Sequence, residues 1–179
     1  MFINPVQPIK IIKQHEQITE SKYIISEEAI MSKLKSKSQI VSLQQDINKK
    51  DTYVDDGWTG ERKTQLTVHG TYHMGLNTKD IEIKHIDSQN GIVYIKLPKP
   101  ILINLDLPYD QIHFEKKQGF LRLAMDEKEE KTFYKAVEKN IERELMKDKE
   151  LMKVADLNNK DVVMGLLKML PEIKSVIFE

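Results

Sequence analysis

Between Gln65 and Asn77 the chain reads QLTVHGTYHMGLN, and its apolar residues take every second position: Leu66, Val68, Tyr72, Met74 and Leu76, with Gly70 in the remaining slot. Successive side chains of a strand point to opposite faces, so this run predicts a strand with one face on a core. A helix would need apolar positions three and four apart. Thr67, Val68 and Thr71, β-branched and at ease in strands, agree. The same alternation collects His69, Thr71 and His73 on the opposite, polar face.

Further stretches extend the pattern into an α+β fold with a largely antiparallel sheet or meander. QIVSLQQDI, residues 39–47, places Val41, Leu43, Gln45 and Ile47 on one face of a strand. Residues 48–62, with Gly57, Gly60 and the only tryptophan, Trp58, are expected as an exposed loop or long hairpin tip. IEIKHI, IVYIKLPKP and ILINLDLP follow as strands, the second ended by Pro98 and Pro100 and the third aligning Ile101, Ile103, Leu105 and Leu107. IHF and FLRLAM flank a turn at Lys117 to Gly119 that suits another hairpin.

Three segments carry helical spacing. SEEAIMSKLKS has Ser26 as a cap and Glu27 and Glu28 in the first turn. From Asp126, apolar Phe133, Val137, Ile141 and Leu145 recur every fourth residue on a charged background, which predicts a long amphipathic helix. Asn158 or Asn159 is the expected cap of a second late helix, KDVVMGLLKML, ended by Pro171, with EIKSVIFE as a final strand. Residues 1–25, with Pro5 and Pro8 and the apolar Ile9 to Ile12, read as an arm with a short strand, and 26–179 as one domain.

Size and composition narrow the function. A chain of 179 residues can bury about 70% of the surface its unfolded form exposes. Its 28 basic and 28 acidic side chains cancel, so no global field draws nucleic acid or an anionic membrane. The absence of cysteine removes disulfides, thiolate nucleophiles and cysteine-held metals. No window is apolar enough to span a membrane, and no basic leader with an apolar run opens the chain. The expected location is the cytoplasm, or the soluble part of a membrane-anchored protein.

Five histidines invite a metal or acid-base site. His69 and His73, at i and i+4 of a strand, stand roughly 13 Å apart, whereas zinc bonds are about 2 Å long. Together they cannot hold one ion. His85 or His113 would have to join from neighbouring strands, with carboxylates such as Glu82 or Asp87, and polar residues on a sheet face are the plainer reading. No nucleophile elbow, P-loop, dinucleotide fingerprint or HExxH pattern is present. Lys135, Lys139 and Arg143 belong to a basic series on the long helix that could meet phosphate. That series drifts by about 40° per step and is interleaved with Glu138, Glu142 and Glu144, which suits a solvated charged face better.

Tyr72 with Gly75 and Leu76, then Val93, Ile95, Leu97, Pro98 and Pro100, then Ala136 and Asn140, occur in an order that resembles the uncharacterised bacterial family DUF4230 across residues 39–152. The resemblance implies no reaction, cofactor or catalytic residue. It does imply that many relatives carry an amino-terminal membrane helix. Asn77 stands where the family pattern has an aspartate, which argues against an essential carboxylate there.

The expectation is therefore a noncatalytic protein-interaction or scaffold domain without a cofactor, binding an unknown protein partner and forming a homodimer if the long helix packs on its own copy. Trp58 and Tyr53 are the candidate contact residues. A small-ligand or metal-dependent enzyme built on His69, His73, His85 and His113 is one alternative. Nucleic-acid or anionic-lipid binding through Lys135, Lys139 and Arg143 is the other.

Overall fold

The computed structural model describes residues 25–58, 60–119 and 123–179. The expected arm, apart from Ile25, and the Phe120 to Arg122 part of the expected FLRLAM strand lie outside those residues. The element order is α1 (Glu27–Leu34), β1 (Gln39–Gly57), β2 (Gly60–Asn77), β3 (Glu82–Asp87), β4 (Ile92–Lys96), β5 (Ile101–Asp106), β6 (His113–Gln118), α2 (Glu127–Lys147), α3 (Lys149–Leu167) and β7 (Ser175–Phe178). This is an α+β fold with mainly antiparallel sheet.

β1 and β2 form one long antiparallel hairpin, paired from Gln39 with Asn77 to Gly57 with Gly60. Of the two expectations for 48–62 the long hairpin holds and the exposed loop does not, since the stretch is a paired ladder up to its turn. Its alternation is masked in sequence because its inward positions are polar: Lys49 and Asp51 lie opposite Val68 and Leu66, and Asp55 lies opposite Arg62. Gly60, at φ +113, takes the left-handed geometry that closes the hairpin. β5 and β6 both pair with β2, along its second and first halves respectively, and a single 3-10 turn at Tyr109–Gln111 separates them. β6 pairs with β2 and runs on through Lys117 and Gln118, the first residues of the expected turn, while the start of the FLRLAM arm lies outside the described residues.

A smaller sheet, β3-β4-β7, pairs β3 with β4 antiparallel and β4 with β7 parallel. The final strand thus returns to a sheet as its sequence suggests. Pro98 and Pro100 follow the end of β4.

The alternation in β2 holds throughout: Leu66, Val68, Tyr72, Met74 and Leu76 are all buried. Its neighbours break parity with bulges. In β1 the register shifts between Val41 and Leu43, so Ile40 is buried while Val41 is 49% exposed, and Leu43 and Ile47 still reach the core. A second shift opposite His73 and Met74 brings Leu102 to the larger core with Leu105 and Leu107, in place of the Ile101 and Ile103 of the expected series. One extra residue re-aims everything beyond it.

Two cores result. Val137, Ile141 and Leu145 of α2, with Leu151 and Ala155 of α3, cover the larger sheet. Val163 and Leu167 of α3, with Ile30 and Leu34 of α1, cover the smaller one. The long helix therefore buries its apolar row within its own chain. Ser26 caps α1 as expected, accepting from the Ala29 amide at 3.1 Å. α3 starts at Lys149, eleven residues before the expected start at Lys160, because Asp148 caps it by accepting from the amides of Glu150 and Leu151 at 3.0 Å each. Asn158 and Asn159 lie in its interior, and Asn159 is fully buried where the two cores meet.

Candidate functional site

The tip of the β1–β2 hairpin carries Trp58, 98% exposed. Behind it the hairpin is fastened to α2. Arg62 donates from Nη1 and Nη2 to the two carboxylate oxygens of Glu129, each at 3.0 Å, and from Nη2 to Asp55 at 3.2 Å. Such a two-pronged contact fixes direction as well as distance. The arginine is largely sequestered, its side chain 14% exposed. Hydrogen bonding to Glu129 raises the guanidinium pKa further, and the same bonds hold the Glu129 carboxyl below the usual carboxylate range.

Glu129 is placed by its own helix end. Asp126 accepts from the Glu129 amide at 2.8 Å and Glu129 accepts from the Asp126 amide at 3.0 Å, a reciprocal capping box. Tyr53 packs on Phe133 with ring centroids 5.7 Å apart and lies 6.0 Å from the Arg62 guanidinium. It therefore belongs to the brace, while Trp58 alone of the two expected contact residues stands free of the body. Tyr53, Met125, Phe133 and Ala136 line a groove of about 430 Å3 beside this brace. On β6, Lys116 pairs with Glu130 of α2.

The four described histidines divide between the two sheets. His69, His73 and His113 share the larger one, with His113 opposite Thr67 on β2. His85 lies in β3, its ring 5.6 Å from Tyr94. The alternative that joined His85 to His69 or His73 across neighbouring strands therefore lacks its ladder. Asp46, His69, Thr71, Asp106 and Gln111 line a shallow hollow of about 520 Å3 on the open sheet face. Among the described residues no three histidine, aspartate or glutamate side chains are placed to hold a metal ion.

Lys135, Lys139 and Arg143 are exposed on α2. Arg143 donates to the Lys139 carbonyl at 3.3 Å and to Asn140 Oδ1 at 3.4 Å, so its guanidinium lies along its own helix. Among the described residues no helix is long and apolar enough to cross a membrane.

Sequence reasoning found Trp58 but missed Arg62, Asp55 and Glu129. The Asp126-x-x-Glu129 spacing signals a capping box, yet nothing local says that Glu129 also reaches across to β2. A two-sheet α+β domain joined by one helix, with a braced hairpin bearing an exposed aromatic tip, is the class these features define. The chain belongs to the DUF4230 family, proteins of unknown function, whose model matches residues 32–175. No curated protein and no solved structure matches it.

Proposed function

We propose that this domain is a noncatalytic protein-interaction or scaffold module whose contact point is the Trp58 hairpin tip. The observation that carries the reading is a tryptophan left 98% exposed on an arm whose base is clamped to α2 through Arg62, Glu129 and Asp55. Covering an indole removes on the order of 200 Å2 of largely apolar surface from water, a gross gain of about 5 kcal/mol. A braced arm loses little further freedom on docking, so more of that gain survives as affinity. Tryptophan is also among the residues that most often dominate an interface.

The test is a photoreactive amino acid at position 58, expressed in the native cells, with the same group at Met169 as an exposed control. A discrete adduct with a different protein, formed from position 58 and absent from position 169, is the expected result. Identical patterns from both positions, or adducts from neither, would overturn the assignment.

A further inference from the structure

β1 is an edge of the larger sheet, and among the described residues its 19-residue length pairs with β2 alone. Alternate residues of such a strand direct N–H and C=O groups away from the sheet, where they form a template for another strand. The question is what this edge fits.

Its charges fit a second copy of itself. On the face away from the helices β1 presents Gln44, Asp46, Asn48, Lys50 and Thr52 in order. Two copies set antiparallel about a two-fold axis through Asn48 bring Asp46 of each opposite Lys50 of the other, and Gln44 opposite Thr52. On the helix side Gln45 falls opposite Asp51. Moving the axis to Ile47 or Lys49 loses both ion pairs, and moving it to Lys50 sets two lysines face to face. Asn48 is also the midpoint of β1, so the complementary register is the one that overlaps the strand along its length. Among the described residues neither Asp46 nor Lys50 has an ion-pair partner.

The geometry points to a symmetric dimer of this chain, joined strand to strand through β1 into one continuous sheet. The interface is isologous, because each contact occurs twice. α3 rests on β1, so the two α3 helices flank the axis on the same side of the joint sheet. The two Trp58 tips then stand at opposite ends of the sheet, roughly 65 Å apart at about 3.3 Å per residue. This dimer does not depend on the tip's partner, and its test is separate.

The mass of the full chain is measured in solution by light scattering or sedimentation across the micromolar range, with a dimer expected. Asp46→Lys and Lys50→Asp each place like charges opposite one another and are expected to weaken self-association about tenfold or more. Both sites are exposed, so the thermal transition of each variant serves as the folding control. An equimolar mixture of the two variants restores complementarity and forms the heterodimer, and the double variant restores the homodimer. A parent chain that stays monomeric to about 100 µM overturns the proposal and leaves the edge to another occupant. So does a dimer whose mass is indifferent to both reversals, or a mixture that fails to pair.

Discussion

Asn159 is the side chain on which the junction of the two cores turns, and replacing it tests the packing argument most directly. It is 0% exposed, accepts from the Ser42 hydroxyl at 2.6 Å and lies 3.5 Å from the Gly75 carbonyl through Nδ2. Ser42 sits within the β1 bulge, so a single amide ties α3 to the irregularity that reverses the parity of that strand. Asn159→Ala removes a short hydrogen bond with a net value of about 1 kcal/mol. It also leaves a cavity beside Ala155 and Val163, on the order of 1–2 kcal/mol for so small a truncation. The sum is about 2–3 kcal/mol. For a chain of this length that lowers the melting temperature by roughly 5–10 °C.

Ser42→Ala is expected to cost about 1–2 kcal/mol, because it strands a buried amide oxygen. The two costs share one bond. The double variant should therefore fall short of their sum by about 1 kcal/mol. Urea unfolding of the parent, both single variants and the double variant measures each quantity. Strict additivity, or a cost below about 0.5 kcal/mol for Asn159→Ala, would refute the idea that this bond joins the cores.

Four shorter predictions concern the Trp58 arm, its clamp and the close backbone approach at Gly75. Arg62→Met releases the clamp, and the fluorescence anisotropy of Trp58 should fall while the core transition persists; unchanged anisotropy would show that the brace does not restrain the tip. Because Arg62 depresses the Glu129 pKa in the folded state, the clamp's contribution is present above the ordinary carboxylate range and lost as pH falls through the lowered value; acid titration of stability should accordingly be shallower in Arg62→Met than in the parent. Gly75→Ala places a methyl group onto the Ile40 carbonyl oxygen and against Ile103, and should cost on the order of 2 kcal/mol or more by thermal unfolding. Trp58→Ala should change stability by less than about 0.5 kcal/mol, since the ring is 98% exposed.

Several elements were legible in the residues because their signals are local. The β2 alternation, the Ser26 cap of α1 and the four-residue apolar row of α2 each reflect how one element meets water on one side and a core on the other. The exposed Trp58 tip was legible for the same reason, between two glycines that mark a turn. The Asn159 reading failed because an asparagine is a good cap in isolation. Only contact with the β1 bulge gives it an interior role.

The amino-acid sequence by itself determined the fold class, the strand at the centre of the larger sheet, the helix that covers it and the absence of cysteine chemistry. Tertiary structure decided the length of β1, whose outer half has no apolar period because β2 and α2 supply its partners. It also decided the two bulges in the strands beside β2, the separation of His85 from the other described strand histidines, and the parallel return of β7 beside β4. Each of these depends on which distant segments meet. A period of two or of 3.6 records how one element faces a core and carries nothing about the segment packed on its other side.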